Sequence, residues 1–164
     1  QVIRLKEPSF AGLSKALTGN GEERIVCNYG LDPLLGKYHE TVCAACFRPK
    51  KTDENECPEC GGQTYIKGVS ERISELQTGK TKAPKRPPYI HQVPLQFIPG
   101  IGPKLLEKLL KHFGTEMAVL HHAPIQSLKK VVPGHVADLI LKARKGELAL
   151  SAGGGGKYGR VAVD

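Results

Sequence analysis

Residues 95–113 read Leu-Gln-Phe-Ile-Pro-Gly-Ile-Gly-Pro-Lys-Leu-Leu-Glu-Lys-Leu-Leu-Lys-His-Phe. Ile98 to Pro103 is a tight turn between two apolar-periodic segments. Gly100 and Gly102 permit positive φ and close approach of the backbone to a ligand. Pro103 suits the first turn of a following helix, where its missing N–H would be unpaired anyway. Leu105, Leu106, Leu109 and Leu110 form an apolar stripe at helical spacing. Lys104, Lys108 and Lys111 lie off that stripe. The arrangement leaves backbone N–H groups bare at a helix N-terminus, where the dipole favours an anion. A nucleic-acid phosphate suits such a place without any base being read. The plain alternative is an αα-hairpin with a glycine-rich turn.

After Phe113, Gly114 can end the helix. Thr115 can cap a following helix that holds Met117, Leu120 and His121. The first pattern then returns. Leu128-Lys129-Lys130-Val131 leads into Val132-Pro133-Gly134-His135-Val136, which aligns with Ile98-Pro99-Gly100-Ile101-Gly102. The next helix, Ala137 to Arg144, sets Ala137, Ile140, Leu141 and Arg144 at helical spacing. Two such units joined by a connector helix resemble the tandem helix-hairpin-helix domain of DNA-backbone binders. The resemblance implies that each hairpin holds one strand of a duplex across the minor groove. Gly100, Ile101, Gly102, Lys104 and Lys108 would serve the first strand and Gly134 the second. Val136 departs from the pattern, since it stands where a glycine is expected. A side chain there is expected to hinder phosphate approach and weaken the second hairpin.

Upstream, Cys43-Ala44-Ala45-Cys46 and Cys57-Pro58-Glu59-Cys60 are two C-x-x-C pairs with ten residues between them. Two thiolates three positions apart on a turn can both point at one ion, and two such turns complete a tetrahedral four-cysteine site. Gly61-Gly62 follow where the chain must bend tightly below the metal. Zn2+ is the default ion; iron fits the same ligands. Four ligands leave no open position, so the site reads as structural. His39 reads as a packing or hydrogen-bonding residue. Thr64 to Val69 reads as a strand, and residues 70–78 as a short helix with Ser70 as N-cap and Ile73 and Leu76 buried.

Lys and Arg number 24 against 16 acidic residues, a net charge of +8 that favours a polyanionic partner. Aromatic residues are only 5% of the chain, which points to small modules with a metal helping at least one. No apolar run approaches the roughly 18 residues of a transmembrane helix, so no membrane is expected. Cysteines grouped for a metal suit a reducing cytoplasm better than disulfides. Ser9 can cap a helix whose Phe10, Leu13, Ala16 and Leu17 share a face. Gly19-Asn20-Gly21 is a turn. Glu23 to Tyr29 is strand-like, with Ile25 and Cys27 on one side and Cys27 buried. Residues 78–90 form a basic, proline-rich, extended connector with Lys80, Lys82, Lys85 and Arg86. The run Gly153 to Gly159 reads as a flexible tail whose amides, with Lys157 and Arg160, can cup a phosphate. It lacks the Ser or Thr of a Walker loop, so nucleotide hydrolysis is not expected. His112, His121, His122 and His135 read as surface or packing residues. The start on Gln1 suggests a piece of a longer protein.

In order, Gly36-Lys37-Tyr38-His39, the paired cysteines, Arg86-Pro87-Pro88-Tyr89-Ile90-His91, Val93-Pro94-Leu95, the two hairpins and Gly153–Gly159 cover nearly the whole chain. Together they resemble the C-terminal half of the PHP-domain (polymerase-and-histidinol-phosphatase) proteins typified by endonuclease Q. The resemblance implies a DNA-repair endonuclease that nicks 5′ to deaminated bases, or at abasic sites, in double-stranded DNA. It implies structural Zn2+ on Cys43, Cys46, Cys57 and Cys60, and DNA contacts near Gly100, Ile101, Gly102 and Lys104. Catalytic divalent metals are implied only for an upstream PHP domain, because no His-x-His or Asp-x-His motif occurs here. No catalytic residue is therefore assigned in this chain.

The expected fold is α+β in small modules: a zinc-ribbon-like four-cysteine module followed by an all-α tandem helix-hairpin-helix domain. The expected segments are 1–36, the end of a PHP-like domain; 37–77, the zinc-binding module; 78–93, the connector; 94–146, the hairpins; and 147–164, the glycine-rich tail. Two competing readings are a protein-interaction adaptor and, more remotely, a complete metalloenzyme using His39, His91 and His121.

Overall fold

The structure, a computed structural model of the 164-residue chain, describes all residues except Asn20, residues 80–84, Val163 and Asp164. In chain order the elements are β1 (Val2–Arg4), α1 (Phe10–Thr18), β2 (Arg24–Leu31), β3 (Val42–Cys43), β4 (Tyr65–Ile66), α2 (Val69–Leu76), β5 (Tyr89–Gln92), α3 (Pro103–Phe113), α4 (Ile125–Val131), α5 (Gly134–Lys145), β6 (Leu150–Ser151) and β7 (Arg160–Val161). Turns of 3-10 helix lie at Pro33–Leu35 and Leu95–Phe97, and a π-helical turn at Ala118–His122. The chain divides into two compact units. One joins Gln1–Gly30 to the described part of Lys80–Gln92; the other joins Leu31–Gly79 to residues 93–164. Among the described residues no helix is long and apolar enough to cross a membrane.

The first unit is a three-stranded sheet in the order β1-β2-β5 with α1 beside β1. β1 pairs antiparallel with β2, Ile3 opposite Ile25. Cys27 is buried on β2, as the alternation there implies. The Asn28 amide donates to the Pro88 carbonyl at 2.8 Å. The proline-rich connector thus ends as a strand that the prolines concealed. Lys80, Lys82 and Pro84 fall outside the described residues, as does Asn20 of the first turn. Ser9 caps α1 by accepting a hydrogen bond from the Gly12 amide at 3.1 Å. Of the expected apolar face of α1 only Ala16 is buried. Phe10 and Leu17 are exposed, and the helix buries its small residues Gly12 and Ala16 instead. Small residues four apart allow a close approach that Phe10 would block.

The second unit holds one core built from Leu35, Leu95, Ile98, Leu109, Leu128 and Ile140, with Val161 from β7 joining it. The segment before the first turn is only a 3-10 turn at Leu95–Phe97. Pro94 and Pro99 bracket it, and a residue before proline is pushed away from the α region. Two further expectations fail on α2. It starts at Val69, where Gly68 precedes it without a side-chain cap, while Ser70 Oγ donates to the His39 carbonyl at 2.7 Å. Ile73 and Leu76 are exposed, not buried. The glycine run is no loose tail. β6 and β7 pair antiparallel around it, Leu150 opposite Val161. The Gly153 amide donates to the Leu34 carbonyl at 2.8 Å, and the Gly159 amide to that of Leu35 at 3.2 Å. A Cβ on Gly153 would lie 2.4 Å from the Gly36 carbonyl oxygen, so only glycine permits this docking.

The connector between α3 and α4 is held from behind. Thr115 Oγ1 accepts from the Ala118 amide at 3.1 Å, which fits the expected cap. Arg144 of α5 donates to the carbonyls of Leu120, Val119 and Ala123 at 2.8, 2.7 and 2.6 Å. Those carbonyls are the ones a short helix end leaves without partners. Arg144→Met would leave them buried and unpaired. The expected loss of unfolding free energy is about 3 kcal/mol, from the cost of stranding buried carbonyls. A urea titration that gave the same midpoint for both chains would contradict the role assigned to Arg144.

Candidate functional site

The two C-x-x-C pairs are local copies of one shape. The Phe47 amide donates to the Cys43 carbonyl at 3.0 Å, and the Gly61 amide to the Cys57 carbonyl at 2.8 Å. The residue after each pair, Phe47 or Gly61, has positive φ, +63° and +69°. Each turn so curled presents both its sulfurs to one side. The four Sγ atoms lie within 4.8 Å of one another, and Cys43–Cys60 and Cys46–Cys57 are each 3.5 Å apart. A tetrahedron with metal–sulfur bonds of about 2.3 Å has edges of about 3.8 Å. A Cβ on Gly62 would sit 3.1 Å from Cys43 Sγ and 3.3 Å from Cys60 Sγ, so the backbone closes under the sulfurs only because glycine stands there.

Backbone amides favour the thiolate at two of the four cysteines. Amides of Cys46 and Ala45 donate to Cys43 and bring its thiol down to about 7. The Glu59 amide does the same for Cys57 in direction. Cys60 accepts from the Gly62 amide, yet the sulfurs of Cys43 and Cys46 beside it push it up to about 12. Four thiolates so close repel unless a metal neutralises them. The donor set fits a structural metal ion such as zinc, held by Cys43, Cys46, Cys57 and Cys60. Among the described residues this is the one group of Cys, His, Asp and Glu ligand atoms near enough to hold a metal. His39 is outside it, and its carbonyl accepts from the Ser70 amide and hydroxyl.

A clamp spans the ten residues between the pairs. Arg48 Nη1 and Nη2 donate to Glu54 at 2.6 and 2.9 Å, and Arg48 Nε lies 3.5 Å from Glu59. The Lys51 amide also donates to Glu54 at 3.0 Å. The Arg48 guanidinium holds the Glu54 carboxyl down to about 2 from an ordinary 4.5. Sequence spacing gave no sign of this pair.

The first turn faces out. Gly100, Gly102 and Lys104 are exposed, whereas Ile98 and Ile101 point into the core. Gly100 has φ +87°, a value glycine adopts freely, but Gly102 has φ −85° and does not need glycine for its backbone. The Ile101 amide donates to the Ile98 carbonyl at 3.1 Å. Among the described residues, nothing in the chain accepts from the Gly100, Gly102 or Lys104 amides. The second turn shares this exposure but not this backbone: Gly134 has no positive φ and already opens α5, three residues before the expected Ala137, while Gly134 and His135 are exposed with amides free within the chain, among the described residues. Val136 does not obstruct it, contrary to expectation. Its side chain is fully buried, and its Cγ2 would lie 3.0 Å from a Cβ on Gly100. The two turns therefore touch. Lys108 is exposed on α3.

The Lys157 Nζ lies 3.8 Å from the centre of the Phe47 ring. The amides of Gly153, Gly154, Gly156, Lys157 and Gly159 all donate to carbonyls of the chain, which leaves these five engaged internally. His121 is held below the ordinary imidazole range by burial, with His122 and Arg144 beside it.

These features define a four-cysteine cluster fit to hold a metal beside a helical lobe. No family model matches the chain. The uncharacterized protein YqxK of Bacillus subtilis is 51% identical over 159 residues, 97% of this chain and 41% of that protein. The uncharacterized protein MJ0043 of Methanocaldococcus jannaschii is 40% identical, over 94% of this chain and 21% of its own. The crystal structure of the lesion-specific endonuclease PfuEndoQ from Pyrococcus furiosus superimposes with a TM-score of 0.80 and 36% identity, covering 98% of this chain and 44% of that one. A second structure, endonuclease Q in complex with a 27-mer duplex substrate carrying an abasic lesion at the active site, gives a TM-score of 0.80 and 37% identity over 99% of this chain and 44% of that one. The chain spans less than half the length of these relatives. Over nearly its whole length the chain is similar in sequence and fold to part of endonuclease Q.

The Arg48–Glu54 clamp makes a pH prediction. A carboxyl whose folded value is lowered adds stability that is present above the ordinary 4.5 and is lost as pH falls towards about 2. Glu54→Gln should therefore melt lower than the native chain at pH 7. The gap should close between about pH 4.5 and 2. Equal melting temperatures at pH 7 would show that the clamp contributes nothing.

Proposed function

We propose that this chain is the DNA-binding part of a repair endonuclease and grips the backbone of double-stranded DNA through two helix-hairpin-helix turns. The observation that carries the reading is the pair of touching, exposed turns with free amides at the starts of α3 and α5. An amide-bearing helix start with positive dipole charge suits a phosphate. In this reading Gly100, Gly102 and Lys104 serve one strand, Gly134 the other, and Lys108 adds charge. Ile101 anchors the turn from below. Lys157, beside Phe47, is a further contact in this reading. The net charge of +8 supports a polyanionic partner.

Nicking 5′ to deaminated bases or at abasic sites is assigned to the longer protein. Its divalent metals belong in a PHP domain outside this chain, so the chain alone should bind and not cleave. Zinc at the four cysteines is the proposed structural ion, and the cytoplasm the proposed compartment. A second reading, a protein-interaction adaptor, draws on the exposed Val69, Ile73 and Leu76 of α2. Salt separates the two: phosphate contacts release counterions and weaken steeply as salt rises.

A substitution that spares the fold tests the turns. A Cβ meets nothing within 4 Å at Gly102 or at Gly134. Gly102→Asp with Gly134→Asp should fold as well as the native chain, since Asp at position 102 caps a helix. Its carboxylates would occupy the amides and repel phosphate, and duplex affinity should fall at least tenfold. Undiminished affinity in the folded double variant would remove the turns from the interface.

A further inference from the structure

We propose that the groove between the C-terminal half of α3 and the end of α4 is a second phosphodiester site, which carries a DNA strand away from the first turn. This rests on the DNA-backbone reading above. The groove has a volume of about 360 Å³ and is lined by Lys108, Lys111, His112, Lys130 and Val131.

No acidic side chain lines the groove. Lys129, the neighbour of Lys130, pairs with Asp138 at 3.4 Å, but Lys108, Lys111 and Lys130 make no ion pair among the described residues. Cations gathered without an acid repel one another, and a bound polyanion relieves that repulsion. Glu107 stands at the edge of the same helix face and offsets one charge.

The groove is continuous with the turn. Lys104, Lys108 and Lys111 follow at i, i+4 and i+7, which places them on one face of α3. Seven residues at roughly 1.5 Å each carry the row about 10 Å from the turn. Such a row is longer than a single phosphate needs and suits a polymer. Lys130, from α4, closes the far end. A strand whose phosphate meets the amides at Gly102 and Lys104 would then run along α3 and set a later phosphate between Lys111 and Lys130.

The test uses the full 164-residue chain and a labelled duplex of about 20 base pairs across a salt series. Each phosphate contact adds about 0.9 to the slope of log affinity against log salt. Lys111→Gln with Lys130→Gln, both at exposed positions, should make the slope shallower by about 1 to 2 and lower affinity at low salt about tenfold. Lys142→Gln with Lys145→Gln removes the same charge from the far end of α5 and should change neither. An unchanged slope for the groove variant, with the native chain still binding, overturns the groove and leaves the turns standing. An equal loss in the α5 variant means a net-charge effect and also overturns it. A native chain with no salt-sensitive duplex binding overturns both proposals.

Discussion

Apolar side chains pulled under the two turns decide what those turns expose. Ile98 and Ile101 beneath the first, and Val132 and Val136 beneath the second, are all buried. With those side chains turned inward, the intervening glycines and the first amides of α3 and α5 are left facing outward. Gly100 sets the spacing. Its positive φ turns the chain, and its lack of a Cβ lets Val136 close against it. The paired turns are thus a product of core packing rather than of any contact made at the surface.

The four-cysteine module and the helical lobe are joined by more than chain connectivity. Leu35 and Val161 share the core of the helices. The Glu40 amide donates to the Gly153 carbonyl at 2.9 Å, which ties the approach to β3 to the C-terminal hairpin. Cys43 and Cys57 are almost fully buried, while Cys46 and Cys60 reach the surface. A module with two-residue strands has little core of its own, so a metal held by its four cysteines would supply what apolar area does not. The Arg48–Glu54 clamp steadies the loop between the two cysteine pairs.

Much of this was legible in sequence. The cysteine spacing foretold the sulfur cluster, and Pro103 and Gly114 marked both ends of α3. The repeated Pro-Gly pattern marked the approaches to α3 and α5, although α5 begins at its glycine and α3 three residues after its own. What the sequence hid has physical causes. Phe47 adopts a left-handed conformation because the turn geometry demands it, although Gly61 in the matching place was a clue. The glycine run looked disordered by composition, yet its glycines are there for close packing against residues 34–40. β5 followed prolines that argue against a central strand, and it pairs with β2 at the sheet edge. On α1, apolar spacing suggested a buried stripe, but the small residues took the packing position. Val136 looked like an intruder in a phosphate loop because a linear alignment carries no direction for its side chain.

The most direct test of the exposed amides is an amide NMR titration of the isotope-labelled chain with duplex DNA. The account predicts that the signals of Gly100, Gly102, Lys104, Gly134 and His135 move together and saturate at one concentration. Movement confined to the Cys43–Cys60 region or to Gly153–Gly159, with those five amides still, would contradict it.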